Sequence, residues 1–299
     1  MERIGGMRII VLVMSSTPAT STTPADLTMV VPTYNESARI EELVRAVFAA
    51  CEAHNVALEL IVVDDNSPDG TGTIADGLIQ SFRMHVIHRP DKLGLGTAVV
   101  AGFESASARV VGVMDADFSH PPALVPRLLA AMHATGADVV VASRYVTGGS
   151  TPNWPMWRRL LSRAACIAAR PLTPVRDSAS GFFLIRHAVA SRVAIRARGF
   201  KICLELLMRG WPEHLVEIPY RFDDREQGES KMSLKEAAGY LVQLRDLYAL
   251  RIREAVRVYG RKPCRQYRRL RLDEVETMLE AGAYEGTRLE SAGLRESQP

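Results

Sequence analysis

Residues Val110–Pro122 read VVGVMDADFSHPP: a short apolar run with no polar alternation, closed by two carboxylates and then by a pair of prolines. An apolar run of this length, bounded by turn signals, suits a strand buried on both faces in the middle of a parallel sheet. The same pattern recurs on either side of it. Leu27–Val31 leads into PTYNE, Leu58–Val63 into DDNSPDG, Met84–His88 into RPDKLGLG, and Val139–Ala142 into SRYVTGG. Helical patterns fill the intervals, and Asn35 is placed to cap one that runs through Arg39, Leu43 and Val47. Short strands alternating with helices define an α/β fold, a mostly parallel sheet flanked by helices. Ligands of such sheets lie beyond the carboxyl ends of the strands, where the polar segments just quoted fall.

The chain has 299 residues, 47% of them apolar, enough for one full catalytic core. A net charge of +3 is too small to point to nucleic acid, and no nucleic-acid partner is expected. The distribution of charge says more: nine Lys or Arg and one Glu lie between Arg251 and Arg271. Cys51, Cys166, Cys203 and Cys264 have no metal-ligand spacing and suit reduced thiols, which predicts a cytosolic setting. Met7–Met14 is apolar but far below the roughly 20 residues that span a bilayer, so no integral membrane helix is expected. The expected organisation is a loose tail over 1–26, a catalytic domain over 27–232, an amphipathic helix over 233–258, and a charged flexible tail over 259–299. Leu234, Ala237, Leu241, Leu244 and Tyr248 mark the amphipathic helix. Inside the domain, the pattern also gives an amphipathic helix over Pro155–Ala169, a strand near Phe182–Arg186 and a helix around Phe200–Arg209.

Three of the strand ends present carboxylates or an aromatic ring at one edge, so they converge on one crevice. In Asp115-Ala116-Asp117 two carboxylates sit on alternate residues of an extended end, and both can turn toward one hard divalent cation. Mg2+ or Mn2+ held by one or two carboxylates plus phosphate oxygens is a usual means of neutralising a departing nucleotide diphosphate.

Taken together and in order, PTYNE, VVDDNSPDGT, KLGLGTA, MDADFSHPP, ASRYVTGG, NWPMWRR with a downstream Ser, D-x-x-SGFF and R-x-x-G-x-S-K resemble the family 2 glycosyltransferases of GT-A fold. Within them the closer likeness is to the polyprenol (dolichol) phosphate mannose synthases, and it covers about Val30 to Lys231. The resemblance implies a nucleotide-sugar-binding, Rossmann-like sheet and inverting transfer of mannose from GDP-mannose to a polyprenyl phosphate at a cytoplasmic membrane surface. It places Pro32, Tyr34, Glu36, Val63 and Asp65 around the nucleoside, and Asp115, Ala116 and Asp117 at the metal and diphosphate. Ser119 stands where some members carry Gln as a further metal ligand, so it is implied as a weaker third ligand. Arg144, Arg158 and Ser162 match the acceptor-phosphate contacts, while Arg225 and Lys231, on a loop made pliable by Gly228, match residues that close over the diphosphate. The chemistry agrees: a phosphate monoester is already anionic at neutral pH, so its acceptor site needs cations more than a strong base. Arg144 can offer a bidentate fork, and Arg158 and Ser162 lie four apart on one helix face.

Each signal has a plainer reading. Asp64 and Asp65 can both cap the turn that follows; Asp65 is assigned to function and Asp64 left open. Gly94-Leu95-Gly96 suggests a dinucleotide loop, but Val99 fills the third glycine position, so Lys92 and these glycines are read as a loop near the nucleotide. His120 is either a ligand, a base or a turn residue. Asp177 matches the position where related inverting enzymes keep a base for a hydroxyl acceptor, a task a phosphate acceptor removes. The helix after Trp154 reads as packed or as lying in a membrane interface, where Trp and Arg are favoured. Competing functions are transfer from a UDP-sugar, a sugar-phosphate nucleotidyltransferase and a non-enzymatic scaffold.

Overall fold

The computed structural model describes residues 24–193, 201–223, 234–257 and 264–282. Strands β1 (Leu27–Thr33), β2 (Leu58–Asp64), β3 (Met84–His88), β4 (Val110–Val113), β5 (Val139–Ser143), β6 (Phe183–Arg186), β7 (His214–Pro219) and β8 (Gln266–Arg269) form one sheet in the order β3-β2-β1-β4-β6-β5-β7-β8. Every pairing is parallel except those of β6, which runs antiparallel to both β4 and β5. That reversal matters for function. With Val113 opposite Phe183, the residues following β4 and those preceding β6 emerge at the same sheet edge.

Helices cover both faces. Ile40, Leu43, Val44, Val47 and Cys51 form the buried stripe of α1 (Ile40–Glu52), the i, i+3, i+4, i+7 spacing of a helix lying on a sheet. They share one core with α2 (Thr71–Leu78) and α4 (Val125–Thr135). The opposite face carries α3 (Leu95–Ser105), the short α6 (His187–Ala190) and α7 (Ile202–Arg209). A third cluster joins the end of α5 (Met156–Ala169) to α7 and α8 (Leu234–Arg257) through Ala169, Leu172, Leu204, Met208, Leu244 and Leu247. Tyr240 and Tyr248 of α8 pin it further by donating to the carbonyls of Ala165 and Ala168 at 2.7 and 2.6 Å. Fully burying a leucine such as Leu247 contributes about 1.5–3 kcal/mol, so Leu247→Ala would loosen α8 from the domain.

Three expectations are corrected. Asn35 does not cap α1: it adopts φ 59°, its N–H donates to Ser67 Oγ at 3.0 Å, and the helix starts only at Ile40. Asp26, placed in the loose tail, already pairs with Ala57 through its backbone and carboxylate. The region beyond residue 259, expected as a flexible tail, contributes β8 and α9 (Leu272–Glu280), whose Val275 and Leu279 are buried in the core of α4. β8 has no apolar signature because it is an edge strand held by pairing with β7 and by side-chain contacts rather than by burial. The four cysteines are free thiols, and among the described residues no helix is long and apolar enough to cross a membrane.

Candidate active site

Beyond the end of β4 the chain turns sharply at Phe118, φ 62°, a left-handed conformation rare for a bulky residue. The turn brings Ser119 back onto Asp117, whose Oδ1 accepts from the Ser119 N–H at 3.0 Å and hydroxyl at 2.6 Å. Ser119 is buried, and its hydroxyl proton is directed to Asp117; its evident work is to orient that carboxylate. Arg39 Nη1 holds the Asp117 carbonyl at 2.9 Å. Asp115 is more open, its side chain 38% exposed to the crevice. His120 Nδ1 accepts the Asp115 N–H at 2.9 Å, which leaves the proton on Nε2, 3.7 Å from Asp115 Oδ2. Burial pushes the His120 pKa down, against the opposing pull of Asp115 and Asp117, so the ring is neutral. A Cβ at Gly181 would lie 3.2 Å from His120 Cε1 and 3.6 Å from both Asp115 carboxylate oxygens, so glycine keeps this corner open. Two hard carboxylates on alternate residues of a strand end, Asp115 beside the space at Gly181 and Asp117 held by Ser119, suit an Mg2+ or Mn2+ ion completed by phosphate oxygens and water.

The residues expected around the nucleoside come from β1, β2 and the loop before α3. Tyr34 is exposed, and Lys92 Nζ lies 3.6 Å above its ring centre, so PTYNE and KLGLGTA meet here. Pro32 and Glu36 are half-buried beside them, with the Glu36 N–H bonded to Thr71 Oγ1 at 2.9 Å. Asp65 proves to be a loop anchor: buried, it forms an ion pair with Arg89 and accepts the Gly94 N–H at 3.1 Å. Arg89 completes the tie through Thr97 Oγ1 at 2.6 Å and the Gly94 carbonyl at 3.0 Å. Sequence reading missed Arg89, which bears no motif of its own. Asp64 is a turn cap, accepting from Thr33 Oγ1, Ser67 N and Ser67 Oγ at 2.9, 2.9 and 2.5 Å. Val63 is wholly buried in β2.

The residues expected at the acceptor centre on Arg144, which follows β5. Its Nε and Nη2 bond Asp177 Oδ2 and Oδ1, both at 2.7 Å, and Asp177 also accepts the Arg144 N–H at 2.9 Å. The bidentate fork read as waiting for a phosphate is therefore committed to Asp177. Burial alone would lower the Arg144 pKa, but the Asp177 charge and hydrogen bonds drive it well above the usual value. The guanidinium carbon lies 5.2, 5.4 and 5.5 Å from the ring centres of Trp154, Tyr145 and Phe222. Arg158 approaches the same indole at 4.1 Å, so Trp154, another residue with no assigned role in the sequence reading, brings the two cations together. Ser162 lies beside the Tyr145 hydroxyl on the same helix as Arg158. Glu217 of β7 accepts the N–H groups of Arg176 and Asp177 at 2.8 and 3.0 Å and is itself bonded by Tyr267 of β8. Arg225 and Lys231 lie outside the described residues.

This fold and site define a nucleotide-sugar transferase, and the chain belongs to glycosyltransferase family 2, whose model, Glycosyl transferase family 2, matches residues 28–197. It is 40% identical over 228 residues to the dolichol-phosphate mannosyltransferase of Pyrococcus furiosus, covering 75% of this chain but 63% of that protein, under two thirds of its length. The dolichol-phosphate mannosyltransferase of Saccharomyces cerevisiae is 37% identical, with 76% of this chain and 88% of that protein covered. The polyprenol monophosphomannose synthase of Mycolicibacterium smegmatis is 41% identical, with coverages of 72% and 84%. Among solved structures, glucosyl-3-phosphoglycerate synthase from Mycobacterium tuberculosis aligns with a TM-score of 0.54 at 21% identity, over 77% of this chain and 80% of that one. A mannosyltransferase of Pyrobaculum calidifontis in complex with GDP-Man and Mn2+ aligns with a TM-score of 0.52 at 18% identity, over 88% and 71%. These likenesses establish the GT-A fold.

Proposed function

We propose that this enzyme transfers mannose from GDP-mannose to a polyprenyl monophosphate, with inversion, releasing GDP. The observation that carries this reading is the Arg144–Asp177 pair. A hydroxyl acceptor needs a free carboxylate to take its proton, whereas here the carboxylate at that place is fully buried and engaged by a guanidinium in two hydrogen bonds. A phosphate monoester brings its own negative charge and requires cations, which Arg144 and Arg158 supply around Trp154, with Ser162 nearby. The names of the relatives at 37–41% identity support the same donor sugar and acceptor class.

In this reading one acceptor phosphate oxygen forms a bond to the anomeric carbon as the bond from that carbon to the donor diphosphate oxygen breaks, and the electron pair leaves with GDP. Asp115 and Asp117 would hold a divalent ion, Mg2+ or Mn2+, which when bound supplies positive charge to the departing diphosphate. Ser119, His120 and Arg39 fix the two aspartates, Tyr34 and Lys92 flank the nucleoside with Pro32 and Glu36, and Arg225 and Lys231 close over the diphosphate. Positioning and fixed charge supply most of the acceleration.

The enzyme works at a membrane surface, bound peripherally and on its cytoplasmic side. Met156, Trp157, Leu160 and Ile167 of α5 and Leu241 and Ile252 of α8 are each at least 60% exposed, an apolar display that a lipid interface would cover. The free thiols accord with a reducing compartment. The test is incubation with Mg2+ or Mn2+, short-chain polyprenyl phosphate and, in parallel, GDP-mannose, UDP-glucose and UDP-N-acetylglucosamine. Lipid-linked sugar from GDP-mannose alone, abolished by EDTA, is the expected result. Product only from a UDP-sugar would overturn the donor, and no lipid product from any donor would overturn the acceptor.

A further inference from the structure

A groove of about 370 Å³ opens beside α5, lined by Tyr145, Arg163, Cys166, Ile167, Arg170 and Arg176. No lining residue is acidic, and among the described residues no carboxylate forms an ion pair with any of the three arginines. Arg163 rests with its guanidinium carbon 5.7 Å from the Tyr145 ring centre, and Arg170 donates Nη1 to the Pro174 carbonyl at 3.0 Å. Guanidinium groups stay charged at every accessible pH, so the groove keeps a threefold positive charge that an anion would neutralise. These cations are distinct from those assigned to the acceptor phosphate. Tyr145 lies between a member of each set, with Arg144 at 5.4 Å and Arg163 at 5.7 Å from its ring centre.

The groove also has an apolar approach. Arg163, Ile167 and Arg170 follow i, i+4, i+7 spacing and share one helix face, which continues back through Leu160 and Met156. Met156, Leu160 and Ile167 on that face are 71%, 61% and 67% exposed. An apolar stripe leading into a cationic groove is complementary to a molecule with an anionic head and a hydrocarbon body, and arginine's planar fork suits phosphate oxygens. We propose that this groove docks the phosphodiester headgroup of an anionic phospholipid, with its chains lying along the exposed stripe of α5. The proposal rests on the membrane-surface reading above and adds a lipid-selective site to it, seating the acceptor cations over the bilayer from which a polyprenyl phosphate must be drawn.

The experiment measures co-sedimentation of the full chain with phosphatidylcholine vesicles, with and without phosphatidylglycerol. It compares wild type with an Arg163→Gln, Arg170→Gln, Arg176→Gln variant and a charge-matched Arg45→Gln, Arg83→Gln, Arg109→Gln variant. The groove variant should lose roughly tenfold or more of its partition onto phosphatidylglycerol vesicles, and the charge-matched variant no more than about twofold. Turnover of detergent-soluble polyprenyl phosphate should stay within about twofold of wild type. Equal partition of groove variant and wild type would overturn the proposal. So would a melting-temperature rise with free glycerol phosphate that needs the three arginines while vesicle binding does not, since the groove would then serve a soluble anion. A wild type that makes lipid-linked mannose yet ignores all vesicles would sink the docking site and leave the transfer reading standing. Groove-dependent vesicle binding without any lipid-linked product would do the reverse.

Discussion

Arg144 and Asp177 form a fully buried bidentate pair, with Nε to Oδ2 and Nη2 to Oδ1 both at 2.7 Å, directly beneath the proposed acceptor site. The pair assigns Asp177 to positioning. Removing one member of a buried pair leaves an uncompensated charge and typically costs about 3–5 kcal/mol. Asp177→Asn keeps the shape and should fall near the lower end of that range in urea unfolding. In two-substrate kinetics it should raise the acceptor KM more than the donor KM, because Arg144 loses its fixed orientation. A collapse of kcat with both KM values unchanged would instead mark Asp177 as a base and reject the phosphate-acceptor mechanism.

At the metal end, Asp117→Ala should abolish turnover to roughly a thousandth of wild type or below while leaving the fold intact, since it removes charge stabilisation needed only during reaction. Gly181→Ala is the finer probe. Its backbone φ permits alanine, but the new methyl would press on His120 and stand 3.6 Å from both oxygens of Asp115. The expected result is a raised Mn2+ or Mg2+ requirement, read from activity against metal concentration, with little change in melting temperature. Unaltered metal dependence would mean that the space above Asp115 is not where the ion sits.

The sheet order around these residues was legible in part. Buried central strands announce themselves, and Met84–His88 has the same limits in the sequence reading and in the structure. The antiparallel direction of β6, which delivers Asp177 and Gly181 to the β4 end, has no local signature, because a short run of three apolar residues and an arginine reads alike in either direction. β8 is Gln-Tyr-Arg-Arg, and its strand character comes from a neighbour rather than from its own composition. In the site, motif residues were recognised but their partners were not. Asp65 drew attention, whereas Arg89, 24 positions later and in no motif, determines what Asp65 does. Hydrogen-bond commitments of this kind depend on chain folding and cannot be read from spacing.

That dependence makes Arg89 a test of the nucleoside loop. Arg89→Met removes the ties to Asp65, Thr97 and the Gly94 carbonyl while keeping bulk, and leaves the buried Asp65 carboxylate to the Gly94 N–H. Lys92 would lose its fixed place over Tyr34. Donor KM should rise about tenfold or more with the acceptor KM nearly unchanged, as expected when ground-state binding groups are displaced. An equal rise in both would argue that the loop serves the whole domain and not the nucleotide.

Acid should weaken the fold through half-buried histidines. Burial, aided by Arg186 and opposed by Asp26, holds the His133 pKa below its ordinary 6.5; burial likewise lowers that of His85 against Glu59. In the unfolded chain both take up a proton near that ordinary value, so below it the unfolded state binds more protons than the native state and stability falls with pH. Their contribution is complete above about pH 6.5 and declines as pH drops toward the folded-state values. The melting temperature should fall from pH 7.5 to pH 5.5, and His133→Gln should make that fall shallower. An unchanged slope in the variant would remove His133 as a cause.

The last prediction concerns the C-terminal edge strand. Tyr267 of β8 bonds Glu217, Glu217 holds the backbone N–H groups of Arg176 and Asp177, and Asp177 holds Arg144, so an edge residue is linked to the acceptor cation through three successive contacts. Tyr267→Phe deletes one hydroxyl and leaves the ring packing. Loss of one hydrogen bond to a charged group corresponds to about 1.5–3 kcal/mol of stability. If the linkage positions Arg144, acceptor KM should also rise several-fold, whereas a purely structural role would lower the melting temperature and leave acceptor KM at the wild-type value. Glu217→Gln, whose amide NH2 would face a backbone N–H where a carboxylate oxygen now accepts, should then raise acceptor KM at least as much as Tyr267→Phe. The alternative is a C-terminal strand that stabilises the sheet edge without reaching the chemistry.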